Sequence, residues 1–231
     1  MLYYYSINED SKSEQVLTSE HADWIHLEGA SEAEMLQIAR QYDLPLDYLT
    51  STLDPDEVSR SEYLEQESIK HPVLILLLFP AQDEDNTDNG NFVTQAISII
   101  LTADILITCV KNNPGFLEDI LANRFELIND LADIHGIVIE IAWRISKSFV
   151  QATKTVRVEM DELQDNLRKS TKTEHLLRLA ELDKSVIYLN TALEENKPVL
   201  EGMSAAPYLV HQDQEKAWLH DVLVENYQAD R

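Results

Sequence analysis

Two long rows of apolar residues in the second half of the chain restrict the fold more than any other feature. Both rows advance in steps of three and four, which places their members on one face of an α-helix. They therefore predict one helix of more than 30 residues, beginning near residue 133, and a second long helix after it. The first row is Ile134, Val138, Ile141, Ile145, Phe149, Ala152, Val156, Met160, Leu163 and Leu167; the second is Leu179, Leu182, Val186, Leu189, Leu193, Asn196, Leu200 and Met203.

The connection between the two rows predicts how the helices are arranged. Residues 169–173 interrupt the pattern, and Thr171 with Glu174 forms a T-x-x-E start for the next helix. Long helices joined by so tight a break are expected to form an antiparallel hairpin. Pro198 is expected to kink the second helix, since proline lacks the amide hydrogen that a helix interior requires.

A third helix is predicted at the end of the chain. Pro207 breaks the pattern, and helical spacing resumes near Asp213. The last fourteen residues, 218–231, continue this helix without the Gly, Asn or Pro that usually closes one. We therefore expect the natural polypeptide to continue beyond Arg231.

The first half of the chain alternates strand and helix signals. Ser31 and Glu34 form an S-x-x-E capping box at the start of a helix running to about Tyr42, and a short helix is predicted over 46–53. The fold class is thus α/β (α+β), with a mixed β-sheet flanked by helices, followed by the long antiparallel hairpin. The expected division is 1–132, 133–206 and 207–231. Strands are predicted at 2–7, 24–27, 73–79, 93–101 and 105–110, the last two joined by a hairpin turn at 102–104.

Composition limits the possible partners. The 42 acidic and 18 basic residues give a formal net charge of −24, which repels phosphate backbones, so nucleic-acid binding is not expected. Crowded carboxylates favour divalent cations. The longest uninterrupted apolar run, 73–79, is far shorter than the roughly 20 residues of a membrane helix, so the chain as given is expected to be soluble. The single cysteine, Cys109, indicates a reducing compartment and a core position.

Catalytic motifs are absent from the sequence. It contains no G-x-S-x-G, P-loop, G-x-G-x-x-G or H-E-x-x-H pattern, and its seven histidines follow no metal-ligand spacing, so an enzyme is not expected.

The densest group of oxygen ligands lies in the polar loop 81–91. Its carboxylates are Asp83, Glu84, Asp85 and Asp88. An EF-hand starting at Asp85 fails, because its twelfth position is Ala96 in place of the bidentate glutamate. Two interpretations remain: a solvated turn, or a site for a hard cation completed by a carboxylate from elsewhere.

Asp221, on the last predicted helix, is a candidate for that completing carboxylate. It lies between Leu219 and Val222, beside His220. It is either an ordinary exposed helix carboxylate or one ligand of a magnesium ion, which one or two carboxylates plus waters suffice to hold. A site shared between subunits would couple ion binding to subunit arrangement.

Four segments together resemble the cytoplasmic domain of the CorA-type magnesium transporter family. AISIILTADILITCV (96–110) resembles the family's strand pair, and LPLDYLTSTLDPDE (44–57) the segment after its first helices. LDKSVIYLNTALEENKPVL (182–200) is similar to the ends of its long paired helices, and DVLVENYQAD (221–230) to the start of its stalk helix.

The resemblance implies a homopentameric channel for Mg²⁺, or alternatively Co²⁺, at the cytoplasmic face of the cell membrane. It implies two membrane helices beyond Arg231, and ions between neighbouring subunits that hold the closed state. The family's site residues, an acidic residue in the loop after the central strand and an aspartate on the stalk helix, correspond to Asp83 (with Glu84, Asp85 and Asp88 as alternatives) and Asp221. Zinc transporters of the same architecture and a soluble helical scaffold remain alternatives.

Overall fold

A mixed β-sheet forms the centre of the first half of the chain. The computed structural model describes residues 1–8, 10, 12–83, 88–129, 134–169 and 173–229, with only the backbone for 166–169. Within this part the sheet has seven strands in the order β2-β1-β3-β7-β6-β5-β4. Only the β3–β7 pair among the described strands is parallel. The strands are β1 (Leu2–Ile7), β2 (Ser13–Val16), β3 (Trp24–Glu28), β4 (Arg60–Glu62), β5 (Val73–Gln82), β6 (Phe92–Leu101) and β7 (Leu106–Val110).

The predicted strands are confirmed, with differences at the edges of the sheet. β5 continues through Pro80 to Gln82, so two residues assigned to the polar loop belong to the strand. β2 and β4 were not predicted, because their sequences SEQV and RSE are polar and short. Pairing with β1 and β5 forms these edge strands, and their own hydrophobic pattern does not specify them.

The helices of the first half are short, and the first begins at a cap that the sequence predicts. Helix α1 (Glu32–Gln41) has the predicted capping box: the Ser31 hydroxyl accepts from the Glu34 N–H, and the Glu34 carboxylate accepts from the Ser31 N–H. Helix α2 (Asp47–Thr50) continues into a 3₁₀ turn, Ser51–Leu53, as one short helical segment. Helix α3 (Phe116–Leu121) was missed, since six residues are too few to show a helical period.

Three helices from the second half pack on one another, and the first two also pack on the sheet. They are α4 (Ile134–Lys169), α5 (Thr173–Ala205) and α6 (Asp213–Ala229). Glu159 of α4 lies beside Arg178 near the start of α5, whereas the earlier Val156 shares a groove with the later Leu189, so α4 and α5 are antiparallel as predicted. Helix α5 continues through Pro198 without ending. Thr171, the expected start of α5, lies outside the described residues.

Two buried polar side chains fasten the long helices to the rest of the molecule. Asn196 of α5 hydrogen-bonds both backbone groups of Leu78 in β5. Glu140 of α4 accepts from three consecutive amides of the segment that follows α3. Both side chains are fully buried.

A polar cluster lies inside the sheet between the parallel strands β3 and β7. Thr108 Oγ1 accepts from the Trp24 indole N–H at 2.8 Å and contacts His26 Nδ1 at 2.9 Å. The indole nitrogen only donates, so Thr108 Oγ1 is the acceptor of that hydrogen bond, whereas the donor in the contact with His26 Nδ1 depends on the imidazole tautomer. Burial, reinforced by the nearby N-terminal amino group, lowers the pKa of His26 to about 4.

We expect His26 to make the fold acid-sensitive between about pH 6.5 and 4. Below its ordinary pKa of 6.5, histidine in the unfolded chain takes up a proton that the folded protein refuses until about pH 4. The free energy of unfolding should therefore fall by up to about 3 kcal/mol across this window, moderated by the Glu28 carboxylate 3.7 Å from Nε2. Urea titrations at pH 7, 6, 5 and 4 should show a flatter profile for His26→Gln than for the control His220→Gln, which changes an exposed histidine. If the free energy of unfolding fell equally with pH in the two variants, His26 would not be the source of the acid sensitivity.

Candidate metal site

The predicted ligands lie in two separate places. Asp83 follows the last residue of β5 directly, and Asp88 lies on the other side of the loop. Glu84 and Asp85 lie outside the described residues. Asp221 is exposed on α6.

The two described ends of the acidic loop are joined by backbone hydrogen bonds. The Asp83 N–H donates to the Asn91 carbonyl oxygen at 3.2 Å, and the Asn91 N–H donates to the Asp88 carbonyl oxygen at 3.1 Å. The Gln82 side-chain amide also donates to the Asp88 carbonyl oxygen, at 3.1 Å. Asp83 and Asp88 are thereby attached to the end of the β5–β6 ladder.

The loop is also packed against the long helices, which the solvated-turn interpretation did not include. Asn91 is 3% exposed, and the Phe92 N–H donates to Ser185 Oγ of α5 at 2.9 Å. Arg178 of α5 donates to the Asn89 carbonyl oxygen and to Asn91 Oδ1. Sequence reasoning missed these residues; the available signal was an arginine among the acidic residues at the start of α5.

Asp221 points away from the face on which α6 packs. Its neighbours Leu219 and Val222 are fully buried, whereas Asp221 is exposed. Farther along α6, Asn226 Nδ2 donates to the Leu193 carbonyl oxygen at 3.5 Å, and Ala229 shares a groove with Leu189. Helix α6 is therefore antiparallel to α5, and Asp221 lies level with a later part of α5, beyond Leu193.

Asp83 and Asp221 do not meet within one chain. Asp83 lines a cavity together with Tyr188 of α5. Tyr188 lies about ten residues earlier on α5 than the point that is level with Asp221. At 1.5 Å per residue, the separation along the α5 axis is roughly 15 Å. Direct Mg²⁺ ligands lie about 2 Å from the ion. A common ion would require Asp221 from a second copy of the chain.

The cavity beside Asp83 is acidic. It has a volume of about 310 Å³ and includes the exposed carboxylates of Asp54 and Asp56, with Lys111 as the basic group in its lining. Over the described residues, no three His, Cys, Asp or Glu side chains converge as a ready metal site. The described helices include none that combines the length and apolarity needed to cross a bilayer.

Sequence comparison identifies one family over nearly the whole chain. The model of the family described as CorA-like Mg2+ transporter protein matches residues 19–231. Comparison with curated protein sequences gave no match.

Solved structures show the same fold at low sequence identity. The complete CorA magnesium transporter from Methanocaldococcus jannaschii superposes with a TM-score of 0.79 at 17% identity, over 100% of this chain and 71% of that chain. The soluble domain of the same CorA gives 0.80 at 18% identity, over 100% and 89%. The ZntB cytoplasmic domain from Vibrio parahaemolyticus gives 0.65 at 12% identity, over 99% and 90%. The α+β fold predicted from the sequence is therefore that of the CorA soluble domain.

Proposed function

The chain belongs to the CorA-like Mg2+ transporter protein family, and from this premise we propose that it is the cytoplasmic regulatory domain of a divalent-cation channel. The family is one of membrane transporters and not of enzymes. In the proposal, Mg²⁺ bound between neighbouring subunits favours the closed channel, and Mg²⁺, or Co²⁺, is also the transported ion. The full-length protein is a homopentamer whose membrane helices lie outside these 231 residues.

The placement of the candidate carboxylates is the observation that carries this proposal. Asp83 and Asp88 are anchored at the end of the β5–β6 ladder, and Asp221 is exposed on a helix packed against the same long helices. Asp83 and Asp221 lie too far apart to share an ion within one chain, and the proposal pairs the loop of one subunit with α6 of the next. Glu84 and Asp85 remain alternative loop ligands.

The proposed mechanism is a population shift. An ion that binds only the arrangement in which Asp83 and Asp221 face each other stabilises that arrangement by RT ln(1 + [Mg²⁺]/Kd), about 1.4 kcal/mol at ten times Kd. When cytoplasmic Mg²⁺ falls, this stabilisation is lost and the subunits separate. The proposal retains the division into a sheet region (1–132), a helix pair (133–206) and the start of a stalk helix (207–231).

Neutralising both ligands should abolish the response to Mg²⁺. We expect the double variant Asp83→Asn, Asp221→Asn to leave the full-length channel open at millimolar cytoplasmic Mg²⁺, because the inter-subunit ion loses its direct ligands. In the 231-residue protein, Mg²⁺ should raise the melting temperature of the wild type, increasingly so at higher protein concentration, and leave that of the variant unchanged. Ion flux and thermal melting at several protein concentrations are the measurements.

A matched control separates the site from general charge reduction. Asp104→Asn with Asp213→Asn removes two exposed carboxylates, one from the β6–β7 turn and one from α6. This variant should respond to Mg²⁺ as the wild type does. Closure by Mg²⁺ that persists in the Asp83, Asp221 variant would refute the site assignment, and a melting shift independent of protein concentration would contradict a shared site.

A zinc transporter of the same fold is the second candidate. The structural likeness to the ZntB cytoplasmic domain supports it, although the TM-score of 0.65 is lower than the 0.80 for the CorA soluble domain. Uptake of Zn²⁺ in preference to Mg²⁺ by the full-length protein would decide in favour of this alternative.

A further inference from the structure

Arg178 joins helix α5 to the loop that carries the candidate ligands. Its side chain is 19% exposed. One terminal nitrogen, Nη2, donates to the Asn89 carbonyl oxygen, and the other, Nη1, donates to Asn91 Oδ1. The planar guanidinium thus bridges two loop positions at once, which is the geometry that distinguishes arginine from lysine.

Helix α4 takes part in the same contact. Glu159 of α4 accepts from Asn89 Nδ2 through Oε1 at 2.5 Å, and its Oε2 lies 3.9 Å from Arg178 Nη2. Glu181 of α5 lies 3.1 Å from Arg178 Nη1. The loop is therefore held by a charged network that includes both long helices.

The backbone between Asn89 and Asn91 lies directly on these helices. Gly90 has φ +85°, and a Cβ atom there would lie 3.0 Å from Leu182 Cδ2 and 3.1 Å from Glu159 Cγ. A side chain there would strain the backbone and would require the Leu182 and Glu159 side chains to shift by a few tenths of an ångström, so the loop backbone packs closely on both helices. A shift of the helix pair relative to the sheet would therefore disturb the contacts of this part of the loop.

Asn91 connects this contact to the acidic residues. Its side chain accepts from Arg178, its N–H donates to the Asp88 carbonyl oxygen, and its carbonyl oxygen accepts from the Asp83 N–H. Arg178 is thus connected through Asn91 to the backbone of both Asp83 and Asp88.

We propose that Arg178 is a positioning residue that transmits Mg²⁺ occupancy at Asp83 and Asp88 to the α4–α5 pair. This inference rests on the proposed function, since it concerns regulation of that site. Ion binding holds Asp83 and Asp88 in a fixed arrangement, the guanidinium passes this constraint from Asn89 and Asn91 to the start of α5, and by linkage a displaced helix pair weakens ion binding. The fork geometry of the guanidinium transmits the effect, because a positive charge alone would only repel the cation.

Amide hydrogen exchange of the 231-residue protein, with and without 10 mM Mg²⁺ and at the highest protein concentration of the melting experiments, tests the link. Arg178→Lys keeps the charge and removes the fork, and Arg178→Gln removes both. Without Mg²⁺, both variants should exchange the amides of 88–92 about tenfold faster than the wild type, as expected for one lost charge-assisted hydrogen bond. With Mg²⁺, the wild type should show slower exchange in both 88–92 and 176–186, whereas Arg178→Lys should show it in 88–92 only.

The control is Arg157→Lys, the same substitution at an exposed arginine of α4. Its amides should exchange as those of the wild type do. The inference would be overturned if Mg²⁺ still slowed the exchange of amides 176–186 in Arg178→Lys. It would also be overturned if, without Mg²⁺, amides 88–92 of Arg178→Lys exchanged at the wild-type rate. If the wild type shows no Mg²⁺ effect in either segment while Arg178→Lys still accelerates exchange in 88–92, the proposed function fails. Arg178 is then a structural clamp only, and the inference falls with the function.

Discussion

Replacing Glu140 by alanine is expected to lower the free energy of unfolding by about 3–5 kcal/mol, the range found when one partner of a buried ion pair is removed. The Glu140 carboxylate accepts from the N–H groups of three consecutive residues, 126–128, at 2.9, 2.9 and 3.2 Å. It also accepts from Arg144 Nε at 2.8 Å. Alanine would leave three amides and the Nε–H group of the nearly buried Arg144 guanidinium without their acceptor.

The measurement is denaturant unfolding at pH 7, with a fall of roughly 10 °C in melting temperature as the companion result. Glu126→Gln is the control, since the Glu126 carboxylate also pairs with Arg144, at 3.0 Å, but is 33% exposed. Its loss should cost no more than about 1 kcal/mol. Equal losses from the two variants would show that the backbone amides are not the main partners of Glu140.

Asn196→Leu is expected to cost about 3–4 kcal/mol, although leucine has a similar volume and suits a buried helix face. Asn196 donates from Nδ2 to the Leu78 carbonyl oxygen at 2.8 Å and accepts the Leu78 N–H at 2.9 Å. The side chain takes the place of a neighbouring strand, because the pairing of β4 with β5 ends at Leu76. Leucine would leave both backbone groups of Leu78 buried and unpaired, at about 1–3 kcal/mol each.

Two further variants separate these contributions. Ser59→Ala removes only the hydroxyl that donates to Asn196 Oδ1 at 2.6 Å, and should cost about 1 kcal/mol. Asn196→Asp keeps the acceptor but sets a carboxylate against the Leu78 carbonyl oxygen. Because protonation of the carboxyl introduced by this substitution restores a donor, the difference in free energy of unfolding between this variant and the wild type should narrow as pH falls. A variant Asn196→Leu as stable as the wild type would contradict this account.

The Asn196 contact also bears on the proposed function. It fixes α5 to β5 at Leu78, five residues before Asp83, whereas Arg178 fixes the start of the same helix to the loop beyond Asp83. The strand end that carries Asp83 therefore lies between two attachments to α5. Movement of α5 would reach this carboxylate from both sides.

The long helices and the central strands were predictable because the spacing of their apolar residues matches the side of each element that is buried. The apolar row on α5 matches the buried side, and even Asn196 fits its three-and-four spacing. β5 is apolar on both faces over 73–79, as expected for a strand covered on both sides. β2, β4 and α3 were missed because they are short segments formed by contacts with neighbours far away in sequence.

The candidate site was predictable in its residue types but not in its geometry. Asp83, Asp88 and Asp221 could be selected because carboxylates are what a hard cation binds. The roles of Arg178 and Asn91 could not be predicted, since 87 residues separate them along the chain and no local pattern links them.

The sequence by itself determined the class of fold, the long helix pair and the family, because hydrophobic spacing and local capping act over a few residues. Only the tertiary structure decided that Asp83 and Asp221 lie on separate surfaces of one chain, and that the acidic loop rests on α4 and α5. These arrangements depend on contacts between residues roughly 70 to 120 positions apart, such as Asn89 with Glu159 and Leu78 with Asn196. Such contacts arise from packing the sheet against the helices, and no periodicity along the chain records them.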